Sequence, residues 1–248
     1  QYIEVWPPHD TYHDLYWLIQ KAKRLAPEKP VVLAAYMKPF QHAADQEAVI
    51  NAEHAFCLAN AVILASGGIQ LVHGEEKSLL CDSYYAKYAD IRPEFCETVV
   101  RYADFLVRYA PLLYDDKGYD ISMTAFGGIN DDVIAKADDV AFSADGRADT
   151  VWMILRESKQ RLVLHFINLT GNDALWNTPK TEPKPVQNIR LMLRLDAKIT
   201  SVCCASPDGE SLGAVNLPFQ TTGSAHGRIQ EIILPELNYF STIWIEWE

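Results

Sequence analysis

The uninterrupted apolar run Val31-Val32-Leu33-Ala34-Ala35-Tyr36-Met37 constrains this chain more than any other feature. A half-exposed strand alternates apolar and polar residues, whereas a continuous run fits a parallel strand covered by helices on both faces. Its surroundings agree with that reading. Tyr2 to Trp6 is a short β-prone stretch broken by Pro7-Pro8, and Asp10 or Thr11 can cap the helix that follows. Leu15, Leu18, Ile19, Ala22 and Leu25 then recur at helical spacing until Pro27 and Pro30 end the pattern. Beyond the run, a helical stretch from about Asp45 to Leu58 leads to Ala61-Val62-Ile63-Leu64-Ala65-Ser66, read as a third buried strand stopping at Gly67-Gly68. A last helix is expected from about Pro93 to Leu113, with Phe95, Val99, Ala103, Leu106 and Val107 on one side. Buried strands alternating with amphipathic helices, about 30 residues per unit, predict a parallel β/α architecture.

After about Tyr119 the pattern changes to short alternating strands between turn clusters. Strands are expected near 140–143, 150–156, 161–168, 189–195, 199–205, 228–234 and 239–247. Asp145-Gly146, Gly171-Asn172-Asp173, the proline-rich 178–185 and Pro207-Asp208-Gly209 supply the turns. Seven strands with no helix between them predict an antiparallel β-sandwich. The domains are therefore expected at 1–117 and 118–248.

Net charge is −11 with scattered basic residues, so the electrostatic footprint of a nucleic-acid binder is missing. A neutral or cationic partner is expected. The apolar window Ala55 to Val72 approaches the roughly 20 residues of a membrane span, but Gly67-Gly68, Asn60, Ser66 and Gln70 interrupt it. No membrane span is expected there. Gln1 opens directly into a strand-like run without the pattern of a signal peptide, as in a processed chain or a fragment. The five cysteines (57, 81, 96, 203 and 204) have no zinc-like spacing, and buried free thiols are expected. His165, on an apolar strand, reads as a core histidine. The pairs Asp115-Asp116 and Asp131-Asp132 lack the spaced loop of a calcium site and read as solvated turns. No metal or organic cofactor is implied.

Chemistry is most legible in the first strand. Alternation sends Ile3 and Val5 one way and Tyr2, Glu4 and Trp6 the other. If Ile3 and Val5 meet the covering helices, Glu4 faces a barrel interior near the strand's C-terminal end, where barrel enzymes build active sites. Aromatic neighbours would hold its proton more tightly, as a general acid requires. Trp6 and Tyr36 could supply flat faces for sugar rings. Equally, Glu4 could pair with a basic group inside the barrel while Trp6 packs the core. In the long segment before the last helix, Asp82 and Tyr84-Tyr85 could line a cleft or be ordinary loop residues.

Tyr-Ile-Glu-Val-Trp-Pro-Pro at 2–8, Val-Leu-Ala-Ala-Tyr-Met at 32–37 and Ala-Ser-Gly-Gly at 65–68 ending in Gly74-Glu75 resemble, in content and order, barrel strands six to eight of the dextranase family, glycoside hydrolase family 66. The resemblance continues through Tyr102-Ala103-Asp104-Phe105-Leu106-Val107, Leu164-His165-Phe166-Ile167-Asn168-Leu169 and Ala205-Ser206-Pro207-Asp208. It implies a fold in two parts: the last three β/α units of a (β/α)8 barrel, then the β-sandwich. It also implies a retaining endo-hydrolase of α-1,6-linked glucan, with Glu4 as acid/base and a nucleophilic aspartate on the fourth strand. Trp6, Tyr36, Gln70 and Glu75 would contact substrate. Strands one to five, and the nucleophile, would then lie outside this chain, which alone would be inactive.

One departure stands out. Gln70-Leu71-Val72-His73-Gly74-Glu75 replaces the family's His-Leu-Glu-Leu-Gly-Glu pattern, which would alter sugar contacts from that loop. A related activity, formation of cyclic isomaltooligosaccharides, resembles the dextranase reaction but comes with a binding module after the seventh strand. About 20 residues separate Tyr36 from Ala61, which favours hydrolysis. A non-catalytic sugar-binding or structural role is the alternative of a different class. The expected location is secreted or at the cell surface.

Overall fold

The computed structural model describes residues 1–82, 87–115, 117–126, 132–224 and 227–248. Tyr84, Tyr85, Asp116 and Asp131, discussed above, lie outside the described residues. The chain forms two compact units: Gln1–Asp116 with Gly171–Glu182, and Lys117–Thr170 with Pro183–Glu248. Thus 171–182, read from sequence as part of the second domain, folds with the first unit.

The first unit runs β1 (Tyr2–Glu4), α1 (Tyr12–Leu25), β2 (Val32–Ala34), α2 (Lys38–Gln41), α3 (Gln46–Ala65), β3 (Ile69–Gln70), β4 (Ser78–Asp82), β5 (Lys87–Asp90) and α4 (Pro93–Leu113). Strands β1, β2 and β3 form a parallel sheet in that order, with Glu4 opposite Ala34 and Val32 opposite Ile69. Thr11 caps α1 through a reciprocal box: its hydroxyl accepts from Asp14 N, and its own N–H donates to Asp14 Oδ2. Tyr12, Leu15, Ile19 and Ala22 are buried, but Leu25, expected on the same face, is 77% exposed.

The third strand is not where its apolarity suggested. Ala61 to Ala65 belongs to α3, and the strand is Ile69–Gln70. From Ala55 onward every α3 side chain is buried, so the helix shows no polar stripe by which to tell it from a covered strand. It is long and apolar enough to cross a membrane, but most of it is packed inside the protein. Gly67, at φ 82°, ends the helix. Gly68 lies so close to α1 that a Cβ there would fall 2.7 Å from Ile19 Cδ1.

Helix α4 has the expected span, and Phe95 and Val99 are buried as expected, but further along the helix the buried face differs. Phe95, Val99, Tyr102, Phe105 and Tyr109 point inward, while Val107 is 73% exposed. Aromatic packing decides this: Phe56 of α3 meets Phe95 edge-on at 5.5 Å and Tyr102 at 6.1 Å. Arg92, the N-cap residue of α4, donates from Nε to Oε1 of the buried Glu53 at 2.8 Å and from Nη2 to Oε2.

The second unit contains β6 (Tyr119–Asp120), α5 (Ser122–Ala125), β7 (Val133–Lys136), β8 (Phe142–Ser143), β9 (Val151–Ser158), β10 (Arg161–Asn168), β11 (Val186–Arg194), β12 (Ile199–Ala205), β13 (Val215–Asn216), β14 (Phe219–Ser224), β15 (Gly227–Leu237) and β16 (Phe240–Trp247). One sheet is ordered β13-β12-β16-β10-β9-β6, with β8 added parallel to β9; a second is ordered β14-β15-β11-β7. Both contribute to one hydrophobic cluster, including Leu155, Leu164 and Ile243 from the first and Leu191, Leu193 and Ile232 from the second. His165 is fully buried, with Nδ1 2.9 Å from Oγ1 of Thr242, its cross-strand partner. Asp132 is not a plain solvated turn residue, since it takes Arg194 Nη1 at 3.2 Å. Cys57, Cys81 and Cys204 are buried, while Cys96 and Cys203 are half-buried; none of the five is in a disulfide. Burial pushes the Cys204 thiol up to about 12.

Candidate active site

Strand β1 is short, but its pleat arranges the site. Val5 is buried, whereas Tyr2, Glu4 and Trp6 project from the opposite face and are exposed. Three side chains at every second position therefore share one surface. Tyr2 Oη donates to Glu4 Oε1 at 2.8 Å, and the Trp6 indole N–H donates to Glu4 Oε2 at 3.1 Å. Each carboxylate oxygen thus has its own donor, which fixes the plane of the group. Tyr36, just beyond β2, brings its hydroxyl to 3.5 Å from Tyr2 Oη. That contact, then burial and Glu4 itself, hold the Tyr2 phenol well above its ordinary range, so it remains a donor through neutral pH.

Parallel pairing places this group at one end of the sheet. Glu4 is the last residue of β1, and Val5 N donates to Ala34 O at 3.2 Å. Tyr36 leaves β2 in the same direction. Glu4, Trp6 and Tyr36, three residues named from the sequence, are brought together. Tyr2 completes the cluster without having been singled out, although the alternation that selected Glu4 also pointed to it.

Gln70 and Glu75 are arranged differently. Gln70 closes β3 but is buried: its amide N–H donates to Ala35 O at 2.9 Å and its carbonyl accepts from Asn60 at 3.1 Å. With both ends engaged, it supports the backbone that carries Tyr36. Glu75 is exposed in the turn between β3 and β4, where its carbonyl accepts the Ser78 hydroxyl. At Gly74 a Cβ would lie 2.5 Å from both Ser78 Oγ and the Tyr88 ring, so this turn needs glycine. Asp82 is tied to Gln41 at 3.1 Å and Lys87 at 3.5 Å.

The loop after β1 is anchored by 171–182. A cis peptide joins Pro7 and Pro8, and the loop then meets the segment in register: Tyr12 N donates to Ala174 O, Trp176 N to Asp10 O, and Asn177 Nδ2 to Asp10 Oδ1 at 2.7 Å. Lys180, almost wholly buried, donates to Asp173 at 3.0 Å. Nothing in the composition of 171–182 distinguishes an anchor from a surface turn.

Residues 1–244 match the model of glycosyl hydrolase family 66. Two cycloisomaltooligosaccharide glucanotransferases of Niallia circulans are 26% identical over 96% of this chain and 28% identical over 78% of it. The chain spans only 24% and 20% of those relatives' lengths. The crystal structure of a Paenibacillus sp. cycloisomaltooligosaccharide glucanotransferase complexed with cycloisomaltoheptaose shares the fold, with a TM-score of 0.84 at 21% identity, over 98% of this chain and 51% of that one. With a family match running across nearly its whole length, the chain belongs to glycosyl hydrolase family 66.

Proposed function

We propose that this chain supplies the general acid/base and part of the sugar-binding surface of a retaining enzyme that cleaves α-1,6-glucan. The observation that carries the reading is the carboxylate of Glu4, held between Tyr2 and Trp6 at the end of a parallel strand. In this reading β1, β2 and β3 are strands six to eight of a (β/α)8 barrel, and the two sheets of the second unit are a β-sandwich. Tyr2, Glu4, Trp6 and Tyr36 then face the barrel interior at the end where barrel enzymes work.

Glu4 would protonate the departing glycosidic oxygen as a glycosyl-enzyme forms. As a carboxylate it would next deprotonate the hydroxyl that releases the sugar. The aspartate nucleophile would come from a barrel strand other than these three, placing its carboxyl about 5–5.5 Å from Glu4, the separation that retention needs. This chain by itself would then be inactive. Trp6 and Tyr36 offer ring faces for glucose, and exposed Glu75 can accept from sugar hydroxyls; Gln70 acts through the Tyr36 backbone.

Two acceptors fit the second step. Water gives an endo-dextranase, favoured by the direct connection from Tyr36 into α2 and α3. A sugar hydroxyl gives transfer, favoured by the relatives, which are glucanotransferases. In the complete enzyme, Glu4→Gln should lower turnover on dextran by about 10²–10⁴-fold, with azide restoring activity on a substrate bearing an activated leaving group. Normal turnover by that variant would overturn the assignment. Separation of linear from cyclic products distinguishes the two acceptors.

A further inference from the structure

A groove of about 1010 Å³ opens on the second unit, among β7, the turn after it, β8 and the start of β11. It is at the upper end of the roughly 300–1,000 Å³ typical of small-ligand sites, and thus accommodates several linked rings. Phe126 and Phe142 are half-buried in its wall and pack against the core of the unit. Polar groups surround them: Lys136 at the end of β7, Asp138 from the turn after it, and Gln187, Asn188 and Arg190 from β11.

Three observations select the kind of ligand. The first is local neutrality. Of the charged lining residues, Lys136 and Asp138 offset each other and Arg190 is paired with Glu231 at 3.0 Å, although the chain as a whole carries −11. Such a groove has no net charge with which to attract an ion. The second is the mixture of apolar ring faces with a carboxylate, amides and a cation. Sugar rings, with flat C–H faces and hydroxyl edges, match that mixture. The third is backbone shape. Asn188 adopts φ 53° and interrupts the β11–β15 ladder between the pairs Gln187–Glu236 and Ile189–Leu234. A left-handed conformation at a non-glycine residue re-aims its side chain, and such conformations gather at binding sites.

We infer that this groove is a second, non-catalytic site for an α-1,6-linked gluco-oligosaccharide. The choice of linkage rests on the proposed function; the choice of a neutral saccharide rests on the groove. Phe126 and Phe142 provide stacking surfaces, and Asp138 and Asn188 bind hydroxyls.

Isothermal titration of the 248-residue chain with isomaltohexaose, and separately with maltohexaose, tests this. Asn188→Gly removes the amide while keeping a residue suited to positive φ, and Asp138→Ala removes an exposed carboxylate. Saturable binding of isomaltohexaose that survives Trp6→Ala, and that weakens tenfold or more in the Asp138→Ala/Asn188→Gly double variant at unchanged melting temperature, is expected. The inference is overturned if neither sugar binds at millimolar concentration, or if the double variant binds like the parent. Groove-dependent binding of maltohexaose alone would overturn the α-1,6 assignment. None of these outcomes bears on Glu4, which is read by turnover in the complete enzyme.

Discussion

The indole N–H of Trp176 donates to the backbone carbonyl of His9 at 2.8 Å, across 167 positions of sequence. Trp176 is 2% exposed and its own backbone N–H meets Asp10 O at 3.0 Å, so one residue secures two successive carbonyls of the loop that leaves the Glu4 strand. Trp176→Phe keeps most of the packing and strands the His9 carbonyl, which should destabilise the protein by about 1–3 kcal/mol. Trp176→Ala adds a cavity, for a total of about 3–5 kcal/mol. Urea unfolding followed by circular dichroism measures both, and a Trp176→Phe variant as stable as the parent would show that the indole N–H contributes nothing.

Tyr2 gives Glu4 one of its two donors. Removing that hydroxyl in Tyr2→Phe leaves the ring and the strand unchanged. A net hydrogen bond of about 1 kcal/mol corresponds to roughly a fivefold fall in kcat. The expected signature in the complete enzyme is a lower kcat with little change in KM, because the lost contact is to the catalytic carboxylate. A rise in KM at constant kcat would instead make Tyr2 a substrate contact.

Tyr12 carries a fully buried hydroxyl with no hydrogen-bond partner among the described residues. Burial, and then the nearby Asp173, raise its pKa well above the ordinary 10.0. Above pH 10 the unfolded chain therefore releases this proton while the folded chain retains it. That contribution to stability is intact below pH 10 and declines as the pH rises further. Tyr12→Phe should be neutral to about 1 kcal/mol stabilising at pH 7 and should flatten the alkaline decline, as melting temperatures from pH 7 to 11 would show.

Arg92 neutralises Glu53, which is only 5% exposed on α3. Arg92→Ala would leave a buried carboxylate unpaired, a loss of about 3–5 kcal/mol. Replacing both partners, as in Arg92→Met/Glu53→Leu, should recover most of it. Guanidinium titrations of the single and double variants decide the matter; additive losses would mean that the pair is not coupled.

Alternation over five residues put Glu4 and Trp6 on one face, and the apolar run from Val31 carried Tyr36 to the same end. This much was legible because a strand's period of two converts sequence position directly into side-chain direction. The span of α4 and the strands Arg161–Asn168 and Ile199–Ala205 were legible for similar local reasons. What the sequence could not decide was whatever depended on a partner distant along the chain. Ala61–Ala65 joined a helix rather than a strand because burial on all sides erases periodicity, leaving tertiary packing to choose. Gln70 turned inward because Asn60 and the Ala35 carbonyl were there to receive it. The segment 171–182 became an anchor for the loop after β1 because backbone carbonyls, identical in every sequence, acquire specificity only once the fold has presented them.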